Sequence, residues 1–171
     1  NLQVINMKED VPIIISPQII PNIASMYTDV NRVFMEYIDN SLDNADDEYY
    51  DQKSNSYDKK ILITLTVNND NSIEFTDNCA GITNFKKIVS EIGNSDKKAQ
   101  PWTNGQFGFG IYSFMAFCNN LQIHSQLQDD DKSNYIDISA SIFSSEKKSD
   151  FYIPVERRSK LDHSGTKIKL T

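Results

Sequence analysis

The chain has 171 residues, enough for one domain with a real core. With 39% hydrophobic and 24% charged residues, its composition is globular rather than disordered. A net charge of −7 makes it a poor candidate for holding DNA or RNA by phosphate neutralisation. No apolar run approaches the roughly 18 residues of a membrane span.

The start carries neither the basic nor the apolar region of a signal peptide. The first residue is Asn1 rather than Met, so the chain is expected to be a piece of a longer protein, cytoplasmic, or nuclear if eukaryotic. Cys79 and Cys118 stand far apart and read as free thiols in a reducing compartment. Together with two histidines they are too few for a structural zinc site.

Helical periodicity is clearest over 29–45. There Val30, Val33, Phe34, Tyr37, Ile38, Ser41, Leu42 and Ala45 recur at the spacing of one helix face, and Asp29 can cap or charge the first turn. Residues 46–60 read as the end of that helix and a polar loop. Strands are expected at Ile61–Val67 and Ser72–Thr76, joined by the turn-prone Asn68-Asn69-Asp70-Asn71. Helices follow at about 84–92 and 109–118. Leu121–Leu127, Tyr135–Phe143 and Thr166–Leu170 read as strands, and Phe151–Val155 adds a short one. Residues 128–134 and 144–150 read as hairpin connections. No internal repeat and no linker divides the chain, so 1–171 is taken as one domain. Helices early and strands late, with hairpin-length links, predict an α+β fold. The expected architecture is a two-layer sandwich with a mainly antiparallel, mixed sheet and helices on one face.

Four segments can carry chemistry. On the 29–45 helix, Glu36, Asn40 and Asp43 fall on one arc opposite the apolar stripe, flanked by Asp39 and Asn44; a solvated polar face has the same pattern. Asp77-Asn78-Cys79-Ala80-Gly81-Ile82 follows an apolar strand, where a carboxylate can meet a ligand while the backbone passes close by; an ordinary turn reads alike. Gly105-Gln106-Phe107-Gly108-Phe109-Gly110 precedes the apolar stretch Ile111–Cys118. Backbone N–H groups at such a helix start suit phosphate, although a flexible loop is equally glycine-rich. The spacing is neither the dinucleotide fingerprint nor the P-loop. Ser164-Gly165-Thr166 precedes the last strand and says little alone.

In this order the four segments resemble the N-box and the three glycine boxes of the GHKL (Bergerat-fold) ATPases. The run Glu36-Tyr37-Ile38-Asp39-Asn40-Ser41-Leu42-Asp43 is most similar to MORC and MutL-like members. Ile92-Gly93-Asn94-Ser95-Asp96-Lys97 resembles the stretch that opens the ATP lid in MORC-like proteins, and the lid is expected over about 83–110.

The resemblance implies Mg-dependent binding and hydrolysis of ATP, coupled to a conformational switch or to nucleotide-dependent homodimerisation of a larger protein. Glu36 would be the general base. Asn40 would ligate Mg²⁺ through its amide oxygen, and Asp43 would lie in the outer shell or toward the ribose. Asp77 would accept from the adenine amine beside Gly81 and Ile82, and Thr166 would support Asp77 directly or through water. The amides of Gly105, Gln106, Phe107, Gly108, Phe109 and Gly110 would hold the phosphates, and Lys97 or Lys98 could reach them from the lid.

Two positions depart from the family pattern. Cys79 stands where glycine is usual, and Asn44 stands where alanine is usual and could narrow or re-dress the adenine pocket. Two other functions share the fold: phosphotransfer of the histidine-kinase class, and nucleotide-gated binding without turnover. Sensor kinases usually carry Asn at the place of Glu36, which favours hydrolysis here. In relatives a lysine from the following domain reaches the γ-phosphate, so slow turnover is expected of this chain alone.

Overall fold

The computed structural model describes residues 17–90, 110–144 and 152–171. It opens with α1 (Ile19–Ala24) and α2 (Val30–Tyr49). Asp29 is the N-cap of α2: its backbone is extended, and its carboxylate accepts from the Asn31 N–H at 2.9 Å, meeting one of the unpaired donors of the first turn. Val33, Tyr37, Ser41 and Ala45 form the buried stripe, one residue per turn.

α2 ends at Tyr49, inside the 46–60 stretch expected to hold its end. A two-strand hairpin that local pattern did not reveal then follows, β1 (Tyr50–Asp51) paired with β2 (Ser56–Tyr57). Its turn is closed by Asn55 in the left-handed region (φ 51°). The hairpin is tied back to the helix by the Tyr57 phenol, which donates to Asp46.

The main sheet has six described strands: β3 (Ile63–Val67), β4 (Ile73–Asp77), β5 (Asn120–Gln126), β6 (Lys132–Ser139), β7 (Glu156–Ser159) and β8 (Gly165–Leu170). Their order is β3-β4-β8-β5-β6-β7, and every described pairing is antiparallel. The expected α+β class with a mainly antiparallel sheet is therefore observed.

Register organises the core. Phe75, Ile168, Ile123 and Ile136 form one cross-strand rung, and Ile73, Leu170, Leu121 and Ile138 form the next. All lie on the core-facing side of the sheet, because side chains two apart on a strand share a face. Phe34 and Tyr37 reach down to Phe75, with ring centroids 5.6 and 5.3 Å apart. The opposite face is polar, with Lys167–Glu74 at 2.9 Å and the Arg158 guanidinium 3.2 Å from the Tyr135 ring centroid. Helices on one face and solvent on the other suit an antiparallel sheet.

Three local expectations need correction. The stretch from Gly110 to Ala116 is a 3-10 helix, not an α-helix. Its carbonyls are drawn to side-chain donors: Ser113 Oγ takes the Gly110 oxygen at 2.7 Å, and the Tyr37 phenol takes that of Ile111 at 3.2 Å.

β6 ends at Ser139, and Ala140–Ser144 turns into a second 3-10 helix, so the strand does not reach Phe143. Residues 152–155 of the expected Phe151–Val155 strand are not in one, and Phe151 lies outside the described residues; the late strand is Glu156–Ser159. It is an exposed edge strand, held by polar contacts such as Arg157–Asp130 at 2.7 Å and so invisible to an apolar pattern. α3 (Phe85–Ser90) lies within the helix expected at 84–92, whose last residues lie outside the described ones.

Candidate functional site

The core-facing side of the sheet changes chemistry at the C-terminal end of β4. Beyond the two apolar rungs, the next inward positions are Asp77, Thr166 and Ser125, under the middle of α2. Asp77 is only 8% exposed, and a buried carboxylate is costly unless its lone pairs are met.

Three donors from three parts of the chain meet them. Ser41 Oγ donates to Oδ2 at 2.7 Å, while the N–H groups of Cys79 and Thr166 each donate to Oδ1 at 3.0 Å. An ionised carboxyl offers about four acceptor positions, so about one remains on the Ser41 side. Thr166 thus supports Asp77 through its backbone. Its hydroxyl instead pairs with Ser125 Oγ at 3.0 Å, and that serine also accepts the Ile82 N–H at 2.8 Å.

Two glycines let the backbone close around this carboxylate. Gly165 has φ +130°, and a Cβ there would stand 2.1 Å from the Asp77 carbonyl oxygen. Gly81 has φ +88°, and its Cβ would stand 2.4 Å from the Gln126 carbonyl oxygen. Either conformation is open to glycine and strained for other residues. Cys79 is different: it is not among the residues with positive φ, so glycine is not required there. Its thiol packs inward, 3.4 Å from the Ser41 carbonyl oxygen.

Asn44 turns both ends of its amide to the same loop. Oδ1 accepts the Ala80 N–H at 2.9 Å, and Nδ2 donates to the Gly81 carbonyl at 3.3 Å. The side chain therefore shapes the loop from Asp77 to Ile82, and its polar atoms are committed to backbone.

Glu36 lies on α2 beside the start of the first 3-10 helix. Oε1 accepts the Tyr27 hydroxyl at 3.0 Å. Oε2 faces Gly110 so closely that a Cβ on that glycine would stand 2.7 Å away. The opposite-face reading of α2 therefore needs refining, since Glu36 is half-buried against neighbours while Asn40, one turn on, is exposed. Asp43 is half-buried. Asn40 is exposed, and a neutral amide oxygen is of the hard-oxygen type that a hydrated Mg²⁺ accepts.

Thus Ser41, Asn44, Asp77, Gly81, Ile82 and Thr166 form one hydrogen-bonded cluster, and Glu36 with Gly110 forms a second centre on the same helix. Lys97, Lys98, Gly105, Gln106, Phe107, Gly108 and Phe109, with most of the expected lid, lie outside the described residues.

Three partners were not assigned roles by motif reading. Ser41 and Ser125 had a signal, because each is a small polar residue at an inward-facing position of an apolar pattern. Tyr27 had none, because it precedes the helix and meets Glu36 only in three dimensions.

A family model described as histidine kinase-, DNA gyrase B-, and HSP90-like ATPase matches residues 27–166. The match spans every described residue of both centres, from Tyr27 to Thr166. Comparison with curated proteins found no match.

Proposed function

The chain belongs to the histidine kinase-, DNA gyrase B- and HSP90-like ATPases, and we propose that within this family it binds Mg-ATP and hydrolyses it to ADP and phosphate. The observation that carries the reading is Asp77, a buried carboxylate with three donors already in place and about one acceptor position left. A single N–H donor, such as the exocyclic amine of adenine, completes it; guanine presents a carbonyl oxygen at that position and leaves the carboxylate facing another acceptor. Base choice follows from that difference, because a site built to hydrogen-bond a group rejects an analogue lacking it.

Hydrolysis rather than phosphotransfer is favoured by Glu36. A carboxylate within reach of the γ-phosphate takes a proton from water as the water oxygen bonds phosphorus and the β–γ bridging oxygen leaves with ADP. Asn40 would offer Mg²⁺ its amide oxygen, and the ion, when bound, neutralises charge on the phosphates. Asp43 is assigned to the outer shell or the ribose. Gly110 would belong to the loop that receives the phosphates, along with Gly105, Gln106, Phe107, Gly108 and Phe109, and Lys97 to the lid. The MORC and MutL-like resemblance of the N-box supports a nucleotide-dependent switch or homodimer as the use of the cycle.

Calorimetric titration with a non-hydrolysable ATP analogue, with and without Mg²⁺, tests the binding site. Magnesium-dependent binding of the adenine nucleotide, at least tenfold over the guanine one and lost in Asp77→Asn, is the expected result. Equal affinity for both bases would remove Asp77 from base recognition. Phosphate release abolished in Glu36→Gln, with analogue binding retained, assigns hydrolysis to Glu36. Undiminished release would reject that role.

A further inference from the structure

The two oxygens of the Glu36 carboxylate have different surroundings: Oε1 is hydrogen-bonded and Oε2 packs close to a glycine. Tyr27 sits in the short link between α1 and α2, and its hydroxyl donates to Oε1 at 3.0 Å. On the other side Oε2 lies against Gly110, where even a methyl group would come within 2.7 Å. A glutamate has three side-chain torsions, the last of them broad. A base that rotates freely spends much of its time aimed away from its proton. Here one oxygen is committed to a phenol, and the second lies close to Gly110, the last residue of the expected phosphate loop.

We propose that Tyr27 is a positioning residue for Glu36: by donating to Oε1 it fixes the carboxylate plane so that Oε2 alone faces the attacking water. This rests on the reading of Glu36 as general base. It adds a residue nine positions upstream, outside the four motif segments.

The chemistry of the pair fits the role. Tyr27 is half-buried, and burial, followed by the negative charge of Glu36, pushes its phenol up to about 12. The proton therefore stays on the tyrosine at neutral pH. Arg32, with its guanidinium carbon 6.0 Å from the Tyr27 ring centroid, pulls the phenol the other way. α1 and the 3-10 helix from Gly110 contain no charged side chain, so Glu36 and Arg32 are the charges the phenol meets from the described elements packed around it. Substrate contact by Tyr27 is not required.

The test compares Tyr27→Phe, Glu36→Gln and the double variant in the intact 171-residue chain. Phosphate release at saturating Mg-ATP is measured beside affinity for a non-hydrolysable analogue. For Tyr27→Phe, kcat should fall roughly tenfold, the order expected when a hydrogen bond to a charged group is lost, while KM and analogue affinity stay within about twofold. In the Glu36→Gln background the same change should leave analogue affinity within about twofold. Independently of turnover, ring-labelled tyrosine NMR should show Tyr27 titrating at lower pH in Glu36→Gln.

An unchanged kcat in Tyr27→Phe, with Glu36→Gln inactive, overturns the positioning role and leaves the ATPase reading intact. Parallel loss of affinity and kcat would make Tyr27 a packing residue, which also overturns it. A Tyr27 titration unmoved by Glu36→Gln shows that the pair does not form. Full activity in Glu36→Gln rejects the general base itself, and the ATPase mechanism with it.

Discussion

Ser41 on α2 and Asp77 at the end of β4 share a 2.7 Å hydrogen bond across the two layers of the fold. Both are 8% exposed, so the contact is shielded from water and ties the helix to the sheet at the point where the core turns polar. Removing one partner of a buried pair leaves the other unsatisfied, and a bond to a charged group is worth about 1.5–3 kcal/mol. Ser41→Ala is expected to lower unfolding free energy by about 2 kcal/mol and to weaken adenine-nucleotide affinity at the same time. Urea unfolding with and without the nucleotide analogue measures both.

Asn44 holds the loop after β4 by two hydrogen bonds to backbone. Asn44→Ala is expected to release the Ala80 N–H and the Gly81 carbonyl, at a cost of about 1–2 kcal/mol. Faster amide exchange confined to Ala80 and its neighbours, with the sheet unchanged, is the anticipated pattern. Unchanged protection at Ala80 would mean that the loop is held by Ser125 and Asp77 alone.

Cys79 is 1% exposed, and burial, then the Asp77 charge, push its thiol up to about 12. The neutral thiol is thus the folded form, and thiolate is the reactive one. At pH 8 native-state labelling of Cys79 is expected to be roughly a thousandfold slower than in urea, where the thiol returns to about 8.5. Cys118→Ser isolates the signal.

The sign for stability follows. Between about pH 8.5 and 12 the folded chain holds a proton that the unfolded chain releases, so stability is full below that window and falls as pH rises through it. Cys79→Ala is expected to flatten this alkaline limb in thermal unfolding.

Much of the architecture was legible locally. The apolar spacing on α2 marks a stripe that is buried at Val33, Tyr37, Ser41 and Ala45 and exposed at Val30 and Leu42, and Asp29 marks the helix start, because helix period and capping depend on neighbours within a turn. The Asn68–Asn71 turn and the alternation of Leu121, Ile123 and Ser125 place strands for the same reason. Local pattern failed where structure depends on distant donors. In the 3-10 helix Gly110–Ala116, the Ile111 carbonyl accepts from Tyr37, far away in sequence. The polar strand Glu156–Ser159 is held by cross-strand partners rather than by burial.

The sequence by itself determined the residue types of the site and their order: a glutamate and an asparagine one turn apart on a capped helix, an aspartate at a strand end, and glycines where the backbone must come close. These are properties of short segments. Only the tertiary structure decided what each group touches. Ser41 and Thr166 stand 36 and 89 residues from Asp77, and they meet it because strand register aligns β4 with β8 and because the apolar rungs seat α2 over both. Tyr27 meets Glu36 because α1, α2 and the Gly110 helix pack together. Such contacts are set by register and layer packing, where a slip of one residue turns every side chain to the other face.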